Sequence, residues 1–347
     1  MTGAESPAGG AEPVVPEVTE AGISPVWVVV LGAAAAVPSL LWALDGSGFI
    51  HDDWSIASGV ELGSTWDAIT GRSTGTSARP LSAVYFALTH EVFGAHPLLH
   101  VLALAALNGL AASLLVRVGT RLVGRQIAVW TALVWVALPN RGSTRLWITM
   151  APAVVSLCLL LVAIALLLAD RPVAAGVVMA SAILLYEAVA GVALAALALW
   201  PWRSRGAAWR RAAGPIVVVL GASAFIYLGS PKRELDAAPF SNWANIVAAQ
   251  FGRGVFGPLA RVGALLMLVA FTVALVRALL PSFRAGFSAV DRAVLAGTAL
   301  VFVGAAPFFV AGFPFATDGI FDRGNLVAGL GTALILGALL SWVSGLA

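Results

Sequence analysis

Apolar runs long enough to cross a lipid bilayer recur along this chain from Pro25 to the C-terminus. A spanning helix needs about 20 apolar residues, and helices are favoured in lipid because they satisfy their own backbone hydrogen bonds. The pattern therefore predicts an all-α polytopic integral membrane protein. Its predicted apolar segments are 25–44, 97–119, 126–139, 148–169, 172–200, 214–229, 258–280, 289–313 and 325–346.

The segment 172–200 has two interpretations. As a hairpin turning at Tyr186-Glu187, each arm has about 14 residues and is about 21 Å long, short for a hydrocarbon core of about 30 Å. As one long tilted helix, it buries Glu187 near the midplane of the bilayer. We prefer the hairpin, which brings the total to about ten membrane helices.

Polar intervals separate these runs at 45–96, 230–257 and 314–324. Within the first interval, the stretches "WDAIT" and "RPLSAVYFALTHEVFG" mix aromatic and polar positions. Such a mixture is typical of amphipathic helices that lie on the membrane surface. We therefore predict amphipathic helices in the first outer loop.

Basic residues indicate how the chain is oriented. Nineteen of the 20 Lys and Arg residues are arginines, and most of them lie in short loops. Because an excess of basic residues marks the cytoplasmic side, we expect the arginine clusters and both termini inside, and the three polar intervals outside. The clusters are Arg117, Arg121 and Arg125; Arg203, Arg205, Arg210 and Arg211; and Arg277, Arg284 and Arg292.

Composition agrees with a membrane location. The chain is 60% hydrophobic and 11% charged, with a mean hydropathy of +0.95. Its net charge of +3 and pI of about 9.6 therefore report topology, and no nucleic-acid partner is expected. We predict a multi-pass protein of the plasma (inner) membrane, with its site facing the periplasm or the outside.

Residues 1–24 are polar, rich in Pro, Ala and Gly, and carry acidic but no basic side chains. A cleaved signal peptide has a positive first region, so we expect a disordered cytoplasmic tail here. Residues 25–347 then form a single transmembrane domain. The one cysteine, Cys158, lies in an apolar run and allows no intrachain disulfide.

The stretch "SGFIHDDWSIASG" carries the first candidate chemistry, where Asp52 and Asp53 follow His51 just after the first apolar run. Adjacent carboxylates repel each other, so burying both without a cation is costly. The pair is either part of a solvated loop or a general base with an orienting partner.

Two arginines could bind a phosphate. Arg79 in "SARPLS" has a planar fork suited to that task, although an arginine there could equally reach lipid headgroups. Arg323 in "FDRGN" precedes the last apolar run, where it lies beside an outer cavity or in an interfacial ion pair.

Further polar residues lie within or beside apolar runs. His96 and His100 have helical i, i+4 spacing, but no third ligand with metal spacing follows, so no metal site is predicted. Glu187 in "LLYEAVAG" is either functional, as ionisable groups inside membranes usually are, or the water-exposed tip of the hairpin.

Taken in order, the acidic pair, the "RPL" segment, "FGAHPLLH", the "YE" pair and "DRGN" resemble the GT-C superfamily of membrane glycosyltransferases. The pattern is more narrowly similar to the bacterial branch related to protein O-mannosyltransferases, most clearly over residues 25–200. The resemblance implies a GT-C-like helix bundle and a polyprenyl-phosphate-linked sugar as donor. It also implies inverting transfer (EC 2.4 class) to an extracytoplasmic glycan, lipid or protein acceptor.

The resemblance also implies roles for particular residues. Asp52 or Asp53 would be the general base, with Asp52 preferred, and Arg79 and Arg323 would hold the donor phosphate. Some members of that family use a divalent cation such as Mg²⁺ or Mn²⁺ and others use none, and the resemblance leaves both open. The residues expected to line the cavity are His51, His100, Tyr186 and Glu187.

Two other functions remain open at this point. A transporter or flippase of lipid-linked glycans would place paired polar residues on broken helices near the midplane, whereas the charges here gather in the predicted outer loops. The second alternative is a non-catalytic subunit of an envelope-assembly complex.

Overall fold

The computed structural model describes residues 24–50, 52–139, 141–203, 208–229, 250, 259–280, 288–310 and 325–346. Within these ranges all regular elements are helical and no strand occurs, so the prediction of an all-α protein is confirmed. The predicted tail, except Ser24, lies outside the described residues. So do His51, Arg323 and most of the interval 230–257.

The helices of the described ranges are α1 (Pro25–Leu44), α2 (Asp52–Leu62), α3 (Thr65–Ile69), α4 (Pro80–Phe93), α5 (Pro97–Val123), α6 (Arg125–Ala137), α7 (Gly142–Leu146), α8 (Ala151–Leu168), α9 (Pro172–Leu185), α10 (Ala190–Arg203), α11 (Ala208–Gly229), α12 (Ala260–Leu279), α13 (Ala289–Val310) and α14 (Asn325–Leu346). Short 3₁₀ turns at Ile148–Met150 and Glu187–Val189 precede α8 and α10.

Prolines and glycines explain why several boundaries fall where the sequence predicts them. Four helices begin at a proline, which is at home in the first turn because its missing N–H has no partner there; they are α1, α4, α5 and α9. Gly124 separates α5 from α6 with a φ of 90°. Only glycine adopts that conformation without strain.

Within the described ranges, seven helices are long and apolar enough to cross a membrane: α1, α5, α8 with its preceding 3₁₀ turn, α11, α12, α13 and α14. Three shorter apolar helices accompany them, at Arg125–Ala137, Pro172–Leu185 and Glu187–Leu197. The protein therefore has the character of a multi-pass membrane protein, while the predicted count of about ten spans is not confirmed.

Helices α1 and α5 pack against each other with opposite directions. A Cβ added at Gly109 would lie 2.9 Å from the carbonyl oxygen of Gly32, so the two backbones nearly touch. Near the start of α1, the Ser113 hydroxyl donates to the Val28 carbonyl over 3.2 Å. Small residues permit this close approach, which is a common way to pack helices in lipid.

Helix α14 packs between α6 and α13, and it runs antiparallel to both. Gly297 of α13 faces Gly331, and Gly304 faces Val327. On the other side, Gln126 at the start of α6 donates to the Ser344 hydroxyl over 2.9 Å.

The segment 172–200 is broken where the hairpin interpretation predicts a turn. Helix α9 ends at Leu185, and Tyr186 is extended with a φ of −158° and a ψ of 118°. Two contacts show that α9 and α11 run parallel. Asp170, just before α9, pairs with Arg211 near the start of α11 over 2.9 Å, and further along both helices Gly176 contacts Pro215.

Helix α10 must therefore return from the level of Tyr186 to the level of Arg211. Only residues 204–207 join α10 to α11, and such a short connection spans less than about 20 Å. The start of α10 is fixed at the opposite level, where Gly191 contacts Val303 near the end of α13. Helices α9 and α10 thus form a hairpin, as predicted.

These directions give the bundle two different ends. One end, called here the arginine end, carries the described members of all three predicted clusters: Arg117, Arg121, Arg125, Arg203, Arg210, Arg211, Arg277 and Arg292. The start of α1 and the end of α14 lie there too. The opposite end, called here the Asp53 end, carries α2, α3, α4 and α7. The prediction that the clusters share one side of the bundle is confirmed for their described members.

The predicted helices of the first polar interval are present as α3 and α4, and α4 begins at Pro80 within "RPL". The structure adds α2, which the sequence analysis did not predict. Asp52 and Asp53 form the first turn of this helix, so the acidic pair does not lie in an irregular loop.

Candidate functional site

Asp53 connects α2 by hydrogen bonds to the turn that precedes α8. The residue is 2% exposed. One carboxylate oxygen, Oδ1, accepts hydrogen bonds from the Thr149 backbone N–H, over 2.7 Å, and from the Thr149 hydroxyl. The other, Oδ2, accepts from the Ile50 N–H over 3.1 Å, while the Asp53 N–H donates back to the Ile50 carbonyl over 2.9 Å. This reciprocal pairing resembles a capping box.

Burial raises the pKa of Asp53, and the hydrogen bonds from Thr149 and Ile50 partly oppose that rise. Both oxygens are occupied, so this carboxylate acts as an anchor. Its hydrogen bonds set where the first turn of α2 lies relative to α8.

Asp52 differs from Asp53 in both exposure and hydrogen bonding. It is exposed at the first position of α2, and among the described residues it has no hydrogen-bond or ion-pair partner. The helix N-terminus favours a negative charge there. The acidic pair is thus divided into one buried anchor and one exposed carboxylate.

His100 lies in a buried aromatic cluster beneath this turn. Its ring centre is 4.5 Å from that of His90, 5.8 Å from that of Phe49 and 5.3 Å from that of Phe93. His90 and His100 are 5% and 4% exposed. His96, by contrast, is exposed before α5, so the i, i+4 pair noted in the sequence does not form one site.

Backbone carbonyls fix which nitrogen of each buried imidazole carries the proton. His90 Nδ1 donates to the Phe86 carbonyl, and His100 Nε2 donates to the Gly94 carbonyl, each over 3.0 Å. His90 Nε2 is buried without a partner among the described residues. Sequence reasoning missed His90, although it continues the buried positions of α4 at Ser82, Ala83 and Phe86 with helical spacing.

His90 should make the protein less stable in acid. Burial lowers its pKa, and the neighbouring His100 adds to that effect against opposing contributions from the Phe86 carbonyl and Glu61. In the unfolded chain the His90 imidazole takes up a proton near pH 6.5. In the folded protein it takes up that proton only at a lower pH. Stability is therefore lost as the pH falls from about 6.5 towards the folded pKa.

We expect His90→Asn to lose less stability than the wild type between pH 7 and pH 5, because asparagine keeps a donor for the Phe86 carbonyl but does not titrate. The thermal unfolding midpoint in detergent measures the difference. His96→Asn, at an exposed site, is the control and should retain the wild-type pH dependence. An equal loss in His90→Asn and wild type would contradict the prediction.

Arg79 and Glu187, which the sequence placed in separate roles, form one ion pair across 108 positions of the chain. Arg79 Nε donates to Glu187 Oε2 over 2.7 Å, and Nη2 donates to Oε1 over 2.5 Å. The guanidinium carbon lies 4.8 Å from the centre of the Tyr186 ring. Next to this pair, the Ser82 hydroxyl donates to the Leu185 carbonyl over 2.5 Å. The start of α4 is thereby fixed to the turn of the hairpin.

Both partners of this ion pair remain accessible, with 32% of the Arg79 and 24% of the Glu187 side chain exposed. Burial on its own would lower the pKa of Arg79, but the Glu187 carboxylate raises it further above its ordinary value. Arg79 is therefore always charged. Two hydrogen bonds use part of its fork. The remaining N–H groups on Nη1 and Nη2 have no partner among the described residues and can bind a second anion.

An apolar groove begins at Pro80, the residue that follows Arg79, and follows the bundle surface between α9 and α11. Its volume is about 370 Å³. Val218 and Phe225 on its wall are 47% and 54% exposed, so the groove is open to the membrane. Its lining residues are Pro80, Ala180, Leu184, Val218, Gly221, Ala222 and Phe225.

Arg141 and Arg145 serve a structural purpose at the same end. Arg141 is 1% exposed; its Nη1 donates to the Trp135 carbonyl over 2.9 Å, and its guanidinium carbon lies 3.4 Å from the Trp135 ring centre. Arg145 Nη2 donates to the Val136 carbonyl over 2.5 Å. Both therefore satisfy carbonyls in the last turn of α6, where a cation is favoured.

Another cavity, of about 90 Å³, lies between α5, α8 and α14 towards the arginine end. Apart from Thr131, its lining side chains are apolar, and none of them is an acid or a base. This cavity therefore lacks the ionisable side chains that acid–base catalysis or phosphate binding would need.

No group of three or more His, Cys, Asp or Glu side chains suited to a metal ion occurs in the part of the chain that the structure describes. The predicted site residues Asp52, Asp53, Arg79, His100, Tyr186 and Glu187 all lie at the Asp53 end. His51 and Arg323 lie outside the described residues. No protein-family model, curated protein or solved structure matches this chain.

Proposed function

We propose that this protein is a membrane glycosyltransferase that moves a sugar from a polyprenyl-phosphate donor to an extracytoplasmic acceptor with inversion. The observation that carries the proposal is the groove beside Arg79. An apolar groove on the bundle surface that reaches Pro80, the residue after the accessible Arg79, matches a ligand with a long hydrocarbon tail and a phosphate. Arginine suits phosphate because its planar fork makes paired hydrogen bonds.

The chemistry requires a base and a leaving group. Asp52 takes the proton from an acceptor hydroxyl while that oxygen bonds to the anomeric carbon of the donor sugar. The bond between the anomeric carbon and the phosphate oxygen breaks at the same time, and polyprenyl phosphate leaves with both electrons. Arg79 stabilises the charge on the departing phosphate.

The two carboxylates divide the work in this proposal. Asp53 holds the first turn of α2 against Thr149, and Asp52 on the exposed side of that turn presents a free carboxylate to solvent. General-base catalysis of this kind contributes about 10²–10⁴-fold in rate. The buried pair of His90 and His100 supports the turn from below.

The decisive experiment incubates the purified protein in nanodiscs with a panel of polyprenyl-phosphate sugars and measures the release of polyprenyl phosphate. The assay is run with Mg²⁺, with Mn²⁺ and with a chelator. Release with at least one donor, dependent on an added acceptor, supports the proposal. Absence of release across the panel under all three conditions would contradict it.

The orientation of the site is part of the proposal. We expect the arginine end in the cytoplasm and the Asp53 end outside the plasma membrane, because basic residues concentrate on the cytoplasmic side. Ser58 on α2 and Ala169 after α8 are both exposed, one at each end.

In a Cys158→Ala background, a membrane-impermeant maleimide applied to intact cells should label Ser58→Cys and leave Ala169→Cys unlabelled. Permeabilised cells provide the control, since both positions should then react. The reverse pattern in intact cells would place the Asp53 end in the cytoplasm.

A transporter of lipid-linked glycans is the second candidate, and the hairpin break favours it. Transporter sites use discontinuous helices whose ends face the substrate, and Glu187 lies at such a break, after the 14-residue α9. The release assay separates the two functions. A transporter moves the intact donor between leaflets without releasing polyprenyl phosphate.

A further inference from the structure

We propose that Glu187 occupies the phosphate position of Arg79 in the free protein, and that the phosphate of a lipid ligand displaces it. This inference rests on the proposed function for the identity of the ligand, but it concerns how the site opens. It assigns Glu187 a second role, as an internal carboxylate that competes with the ligand for one guanidinium.

The geometry of the ion pair supports this exchange. The two Glu187 oxygens accept from Nε and Nη2 of Arg79, which is the paired arrangement that a phosphate also makes with an arginine fork. A lipid whose tail lies in the groove reaches Pro80, the residue that follows Arg79. Its phosphate would therefore arrive where the carboxylate now lies.

The two partners are not held equally firmly. Arg79 precedes the first turn of α4, and the neighbouring Ser82 is bonded to the Leu185 carbonyl. The Tyr186 ring lies beside its guanidinium and favours the cation independently of Glu187. Arg79 thus keeps a second partner when the carboxylate leaves.

Glu187 lies in a different setting. It begins a three-residue 3₁₀ turn between an extended residue and α10, and 24% of its side chain is exposed. A carboxylate in such a position can turn towards solvent without leaving a buried charge unpaired. The exchange therefore replaces one ion pair by another at the same arginine.

The test measures binding of a prenyl monophosphate, with the matching prenyl alcohol as the reference ligand, to the full-length protein in nanodiscs. Removing the competing charge in Glu187→Gln should tighten phosphate binding by about tenfold, because a site that is open for about a tenth of the time binds tenfold more weakly than an open one. Binding of the alcohol should not change.

Three variants keep the test sharp. In an Arg79→Gln background, adding Glu187→Gln should produce no gain, since the two changes act through one contact. Glu187→Asp, which shortens the side chain, should give an intermediate gain and serves if the glutamine variant fails to fold. Asp170→Asn breaks the exposed ion pair with Arg211 at the arginine end, and as the matched control it should leave the affinity unchanged.

Unchanged or weaker phosphate binding in both Glu187 variants would overturn the inference and make Glu187 a positioning residue for Arg79. Equal binding of phosphate and alcohol by every variant would overturn it as well. The proposed function is judged separately by release of polyprenyl phosphate. Tighter binding without release supports the exchange and contradicts the transferase, whereas release without tighter binding does the opposite.

Discussion

Asp52→Asn is expected to lower sugar transfer by about 10²–10⁴-fold, the usual contribution of a general base. Asparagine has nearly the shape of aspartate but does not accept a proton at neutral pH. Because Asp52 is exposed and has no partner among the described residues, the variant should fold and bind donor as the wild type does. The expected readout is a reduced rate of polyprenyl phosphate release with unchanged donor affinity.

Asp53→Asn is the matched comparison, because it changes the neighbouring residue in the same way. Asparagine at this position turns an NH₂ group towards either the Ile50 or the Thr149 N–H, where the wild type has an acceptor. A buried donor without an acceptor costs about 1–3 kcal/mol. We therefore expect a lower thermal unfolding midpoint in this variant.

The two variants distinguish the base from the anchor. Asp52→Asn should lose turnover and keep its unfolding midpoint, and Asp52→Glu should recover part of the rate because it restores a carboxylate. Normal turnover in Asp52→Asn together with lost turnover in a well-folded Asp53→Asn would exchange the two roles. Normal turnover in both variants would remove the acidic pair from the mechanism.

The features of the fold that the sequence predicts correctly are local ones. Proline at the first helical position indicates the starts of α4, α5 and α9. The polar pair Tyr186-Glu187 inside an apolar run indicates the turn of the hairpin. The described arginines of the three predicted clusters share the arginine end, because the connections that carry them follow apolar helices. Periodicity and local chemistry are sufficient for such features.

Pairing between distant segments could not be read in this way. Asp53 meets Thr149 across 96 positions, and Arg79 meets Glu187 across 108. Nothing within a few residues of either partner indicates the other. The division of the acidic pair into a buried and an exposed carboxylate follows from the long-range contact with Thr149, so the sequence left both as candidates for the base.

The number of spans illustrates a second limit. An apolar stretch predicts a membrane crossing by its length, but α6, α9 and α10 fall short of that length. Their neighbours in the bundle determine how they lie. The 14-residue α9 is antiparallel to α10, because α11, which follows α10, begins beside the start of α9. This arrangement depends on how the helices pack and not on the length of α9.

Gly331→Val is expected to disrupt the contact between α13 and α14, with a large loss of stability. A Cβ at Gly331 would lie 2.7 Å from the backbone nitrogen of Val301, and it would also meet the Gly297 carbonyl. Backbone atoms cannot turn aside as a side chain can, so the two helices must separate. Overpacking typically costs about 1–3 kcal/mol, and a backbone clash is at the upper end of that range or above it.

Gly329→Ala in the same helix is the control. A Cβ there would meet Leu138 Cδ1 at 3.6 Å, which is ordinary van der Waals contact. We expect this variant to keep or slightly raise the unfolding midpoint, because alanine is about 0.5–1 kcal/mol better than glycine inside a helix. The neighbours of the two glycines differ: backbone atoms of α13 face Gly331, and side-chain atoms face Gly329.

Separation of α13 from α14 should also disturb the proposed phosphate site at Arg79. Gly191 at the start of α10 contacts Val303 of α13, so a displaced α13 removes support from the turn that carries Tyr186 and Glu187. We expect Gly331→Val to weaken prenyl phosphate binding in whatever fraction remains folded, as measured in nanodiscs after size-exclusion chromatography. A Gly331→Val protein with the wild-type midpoint and affinity would show that α13 and α14 do not approach this closely.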